Sequence, residues 1–244
     1  MSLFLELAFI FFMGSVSGWV LEVFFRRFVS RANPERKWIN PGFCTGPYLP
    51  IYGFGLCLMY LIAGLERYKI VESSLWSKVI LFFVMAVCMT VIEYIAGFAS
   101  LKLTNVRLWD YTDEWGNING IICPKFSVIW AVLGGVYCFL IHPYILNAVH
   151  WLARNLAFSF VIGLFFGVLI LDVAQSIQLM AKLKKFAEEY NVVVRYEALK
   201  AHIRSQHKTA KKYRFFKPFH SERPLSESLK ELVDSFEQRI RKKK

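Results

Sequence analysis

The chain has 244 residues, 56% of them hydrophobic and 17% aromatic, with a mean hydropathy of +0.39 and a formal net charge of +12. A soluble domain is about 45–50% apolar, so this composition excludes a purely water-soluble fold and requires lipid to cover the excess. The expected class is an all-α integral membrane protein of about five transmembrane helices.

A helix needs roughly 20 mostly apolar residues to cross a bilayer, and the stretches 4–25, 48–65, 78–101, 122–146 and 156–180 meet that need. The first carries Glu6 and Glu22 and lacks a basic leader and a small-residue cleavage site, so it reads as an anchor. Stretch 48–65 is the shortest, and Pro50, Gly53 and Gly55 interrupt its first half, which suggests a broken helix. The third span contains Glu93 and the fifth Asp172. Residues 1–180 form the membrane domain in this reading, and 181–244 a basic helical tail.

Lysine and arginine place the loops. Arg26, Arg27, Arg31, Arg36 and Lys37 follow span one, Lys102, Arg107 and Lys125 follow span three, and the tail holds 18 basic against 8 acidic residues. The positive-inside rule then puts these loops and the C-terminus in the cytoplasm of a multi-pass cell-membrane protein, and the N-terminus outside. Leu179, Leu183, Phe186, Tyr190, Val193 or Val194, and Ile203 recur at helical spacing, which predicts an amphipathic continuation of the last span. The basic and aromatic segment 208–217 is expected to rest on anionic headgroups rather than on nucleic acid. A last helix after Pro224, capped by Ser226, presents Leu229, Leu232, Val233, Phe236 and Ile240 on one face and is expected to dock or bind a partner.

One pattern occurs twice. Glu22 is followed by a basic loop and INPGFCTGPYLPIYGFG (39–55), and Glu93 by a loop with Trp109, Asp110 and Tyr111 and then INGIICPKFSVIWAVLGG (118–135). An Ile-Asn pair, a Gly, a Cys, a Pro, and an Ile followed by an aromatic residue and glycines are shared. This predicts a parallel two-helix repeat. Gly14-x3-Gly18 and Gly163-x3-Gly167 each precede an acid and allow close helix packing, with a homo-oligomer open.

Glu22, Glu93 and Asp172 fall at matching depths in helices of one orientation. Carboxylates in a membrane face a bundle interior, a wet cavity or a basic partner, so a shared polar chamber at the cytoplasmic end is expected, with Asp172 the most tolerant of substitution. The competing reading pairs the acids with Arg26, Arg27, Arg107 or Lys125. Asn40, Asn117 and Asn119 add amide groups, Gly42, Gly46, Gly116 and Gly120 permit close backbone approach, and Pro47, Pro50 and Pro124 open carbonyls near span starts. The five cysteines have no zinc-site spacing, and no P-loop, HExxH or GxSxG occurs, so no metal, cofactor or catalytic residue is assigned.

The strings GWVLEVFFR, KWINPGFCTGPYLPIYGFG, VIEYIAG and LWDYTDEWGNINGIICPKFSVIW resemble the bacterial ABC-transporter permeases of the CmpB-like, type IV kind. The matching positions are Gly18, Trp19, Glu22, Asn40, Gly42, Phe43, Gly46, Pro47, Pro50, Ile51, Tyr52, Gly53, Glu93, Trp109, Asp110, Tyr111, Asn117 and Gly120. Pro124 and Lys125 depart from the pattern, and the tail after Ala181 lies outside it. The resemblance implies a transporter subunit, with a separate ATPase chain for any ATP-driven version. A non-catalytic membrane scaffold and a membrane enzyme acting on a lipid-linked substrate, with Glu22, Glu93 or Asp110 as acid or base, are the alternatives.

Overall fold

The computed structural model describes residues 1–30, 33, 36–65, 74–206, 225–231 and 233. Its helices are α1 (Leu3–Phe28), α2 (Pro50–Gly64), α3 (Ser74–Thr104), α4 (Pro124–Val136), α5 (His142–Arg154), α6 (Ser159–Glu189) and α7 (Tyr196–Gln206). A π-helical turn, Tyr137–Ile141, joins α4 to α5 into one continuous rod, Pro124–Arg154. Two short strands, β1 (Val106–Arg107) and β2 (Val194–Arg195), pair in parallel.

Among the described residues, four helical stretches are long and apolar enough to cross a membrane: Leu3–Phe28, Val79–Thr104, Pro124–Arg154 and Leu156–Glu189. Their outward faces are apolar, as Phe83, Val87 and Ile95 on α3 and Leu164, Ile170 and Leu171 on α6 show. The chain is an all-α multi-pass membrane protein. The expected second span is the exception, because its helix has only 15 residues. At 1.5 Å per residue α2 extends about 22 Å, less than the roughly 30 Å hydrocarbon core.

The reason lies in the segment before it. Residues 40–49 are not helical, and they descend along α1 until the Leu49 amide donates to the carbonyl of Ser15 at 2.9 Å, midway along that helix. Pro50, which has no N–H to lose, then occupies the first turn of α2. Irregular backbone at this depth is tolerated only where protein satisfies its polar groups.

Close packing of α1 on α2 depends on small residues. A Cβ on Gly18 would clash with the Cβ and Cγ of Tyr52, and one on Gly14 would meet Leu56 and the Tyr52 carbonyl. Gly18→Ala is therefore expected to cost about 1–3 kcal/mol by overpacking and to push Tyr52 off Glu22. Thermal melting in detergent reads this, with Gly163→Ala as the contrast. Gly163 and Gly167 have nothing within 4 Å of where a Cβ would stand, so the second Gly-x3-Gly makes no contact among the described residues and Gly163→Ala should not destabilise.

Beyond the bundle, α6 continues to Glu189 and the chain folds back instead of running on as one amphipathic helix. Leu183, Phe186, Val194, Tyr196, Leu199 and Ile203 form a compact cluster with Val106 of the second loop, and Phe43 of the first packs on it. Residues 225–231 are helical, and Leu229 is buried in the same cluster with Val233 beside it. Leu232, Phe236, Ile240 and the segment 208–217 lie outside the described residues.

Candidate functional site

Each of the two helical pairs carries the same device. In the first, Glu22 of α1 accepts a hydrogen bond from the Tyr52 hydroxyl of α2 at 2.9 Å. In the second, Glu93 of α3 accepts from the Trp130 indole of α4 at 3.0 Å. Tyr52 and Trp130 are the aromatic residues that follow Ile in the two sequence repeats, and their rings meet, with centroids 5.3 Å apart. The asparagines of the two Ile-Asn pairs each bond an aromatic residue of the preceding Glu-bearing helix, in opposite senses: buried Asn40 accepts from the Trp19 indole at 2.6 Å, and exposed Asn119 donates to the Tyr94 hydroxyl at 3.1 Å.

The two devices face one cavity of about 320 Å³. Glu22, Arg26, Tyr52, Glu93, Trp109, Tyr111 and Trp130 line it, and Phe25 and Phe126 close its apolar side. Tyr111 stacks on Phe126 at 4.3 Å and donates to Glu93 at 3.0 Å. Trp109 is fixed from behind by its indole bond to the Ile121 carbonyl at 2.8 Å. The loop that carries these two residues turns at Gly120, whose φ of +65° and contact with Arg107 leave no room for a side chain.

Glu22 and Glu93 differ in their company. Glu22 pairs with Arg26 at 3.0 Å, Arg26 reaches Glu197 of α7 at 2.7 Å, and Glu197 lies 3.6 Å from Lys200. Lys200 also donates to the backbone carbonyls of Asn40 and Gly42. Glu93 is buried and bonds only the neutral donors Tyr111 and Trp130 among the described residues.

Asp172 is not in this cavity. It accepts from the Thr45 amide and hydroxyl, from the Gly46 amide at 2.8 Å and from the Tyr48 hydroxyl at 2.6 Å, which caps the loop that descends beside α1. The expected single chamber of three acids is thus divided, because the short polar loop saturates the third. Asp110 also points elsewhere. It binds Thr112, Arg107 at 3.1 Å and Arg195 of β2 at 3.1 Å, tying the second loop to the tail. Burial alone would raise its carboxyl, but the Thr112 hydroxyl and amide and the two arginines outweigh it and hold the group below the usual carboxylate range. Asn117 is spent inside its own loop, on the carbonyls of Thr112 and Glu114 and the amide of Gly120. Among the described residues no three His, Cys, Asp or Glu side chains gather as a metal site.

The tail contributes residues that no sequence motif marked. Burial opposes ionisation of Glu197, yet Arg26 and Lys200 outweigh it and keep its carboxyl below the usual range. A depressed carboxylate stabilises the fold above its unfolded value of about 4.3 and loses that contribution as pH falls through the folded value. Docking of α7 should therefore hold at neutral pH and weaken from about pH 4 downward. Glu197→Gln should imitate acid at pH 7, costing about 1–3 kcal/mol because it takes one of two carboxylates from Arg26 and leaves Lys200 its backbone carbonyls alone as acceptors among those described. Limited proteolysis of the tail measures both.

Trp130, Phe25 and Phe126 line the cavity without having been singled out, and Arg26, named as an acid's partner in the competing reading, makes that pairing with Glu22. The repeat held a signal for Trp130, since it aligns with Tyr52. The family model "Putative ABC-transporter type IV" matches residues 9–177, which include both helical pairs and Asp172. No curated protein and no solved structure matches the chain.

Proposed function

The chain belongs to the ABC-transporter type IV family, and on that premise we propose that it is the membrane subunit of a transporter whose substrate site is the cavity between Glu22 and Glu93. The observation that carries this reading is a carboxylate on each helical pair, both turned into one aromatic-walled space of about 320 Å³. Ligand sites of that size are concave, mostly apolar and equipped with a few convergent polar groups. Glu22, Glu93, Tyr111 and the Trp130 indole are those groups here.

The loops and tail lie on the cytoplasmic face of the cell membrane in this proposal, since they carry the basic excess. The cavity then sits at the cytoplasmic end of the bundle. An ATPase chain would be separate and would meet the layer formed by the two loops and α7. Asn40, Asn117, Asn119, Asp110 and Asp172 shape that layer and leave contact with the substrate to the cavity walls.

Comparison of solutes and lipids inside and outside deletion and parent cells tests the proposal. A compound whose distribution shifts on deletion and returns with the wild-type chain is expected. Identical distributions in both strains would leave a scaffold role instead.

A further inference from the structure

We infer that this cavity takes a lipophilic organic cation, a protonated amine or a quaternary onium, with its charge set against Glu93 and its apolar body among the aromatic walls. The inference rests on reading the cavity as a ligand site and names the ligand's sign. Charge balance is the first argument. Glu22, Arg26, Glu197 and Lys200 form a linked chain of two acids and two bases that sums to zero. Glu93 stands outside it, 4% exposed, held by a phenol at 3.0 Å and an indole at 3.0 Å. No Lys, Arg or His among the described residues pairs with it. A buried carboxylate without a counter-charge is expensive, and a cationic ligand would supply that charge.

The walls select the same sign. Tyr52, Trp109, Tyr111 and Trp130 line the space, and the negative face of an aromatic ring attracts a cation. An anion would meet two carboxylates and these rings. The one base on the wall, Arg26, is already bonded to Glu22 and Glu197. A strongly hydrated cation such as a metal ion would have to shed its water against mostly apolar walls, which an organic cation does at far lower cost.

Tetraphenylphosphonium and tetraphenylborate have the same shape and opposite charge, so they separate sign from apolarity. Equilibrium dialysis of each against the full chain in nanodiscs of zwitterionic lipid, with empty nanodiscs subtracted, gives the chain's own binding. Saturable binding of the phosphonium at one per chain is expected, and no saturable binding of the borate. Glu93→Gln should weaken the phosphonium about tenfold or more, while Glu188→Gln, on the exposed end of α6, should leave it unchanged. Equal or tighter saturable binding of the borate would overturn the inference and leave the ligand site standing, as would undiminished phosphonium binding by a folded Glu93→Gln chain. Failure of both ions to bind saturably would remove the ligand-site reading together with the inference. The two-ion comparison uses the wild-type chain, so it decides the question whatever the stability of the variant.

Discussion

Asp172→Asn is expected to lower the thermal stability of the chain by roughly 3 kcal/mol and to open the segment 40–49 to protease. The aspartate oxygens accept from two backbone amides, a threonine hydroxyl and a tyrosine hydroxyl, and all four groups are donors. An asparagine has one acceptor oxygen, and its amide hydrogens would face the remaining donors. Hydrogen bonds to an ionised acceptor are the strong ones, and donors stranded at membrane depth have no water to turn to. Tyr48→Phe, which removes one donor and strands nothing, should cost only about 1 kcal/mol. Melting in detergent compares them. A wild-type melting curve for Asp172→Asn would mean that the loop is held by the bonds from Leu49 to Ser15 and from Ser176 to Phe43 instead.

Glu93→Gln should do the opposite: abolish rescue of the deletion strain while abundance stays at the parent level and melting stays level or rises. Glutamine keeps the volume and one acceptor for Tyr111 or Trp130, and it removes a buried charge that no described base offsets. Losing function while gaining stability is the behaviour of a group kept for its ligand rather than for the fold. Glu22→Gln should lose function too, but with lower abundance, because it takes one of the two carboxylates from Arg26. Rescue and immunoblotting of the same cells read both quantities. Full rescue by Glu93→Gln at normal abundance would remove Glu93 from the site.

The spans were legible because lipid imposes a long apolar period, and the two Glu-bearing pairs because the repeat preserves an Ile-Asn turn and an Ile-aromatic step. Trp109 and Tyr111 came with the loop motif and do line the cavity. What escaped was settled by contacts far apart in the chain. Asp172 meets residues more than 120 positions earlier, and Arg26 is completed by Glu197, 171 positions later. Neither of these long-range pairings has a local spacing by which to recognise it, whereas the pair of Arg26 with Glu22, four positions earlier, does. Asp172, expected from the sequence to be the most tolerant acid, is for that reason expected instead to lose stability when substituted. The tail showed the correct apolar period over 179–203 but not the reversal after Tyr190, where the helix ends and Val194 and Arg195 then pair with Val106 and Arg107. That reversal turns the expected straight amphipathic continuation into a cap over the loops.

The short α2 also bears on the order of biosynthesis. When the ribosome has delivered only the first three helices, residues 40–49 have a hydrogen-bond partner in Ser15 but none in α6, which has not been made. A 15-residue segment preceded by bare amides is a poor substrate for lateral release into lipid. The seating of the loop before α2 is therefore expected to wait for the last span, and in a nascent chain arrested before Asp172 the Cys44 thiol, buried against Leu169 in the finished fold, should stay accessible to water-soluble thiol reagents until translation passes that point.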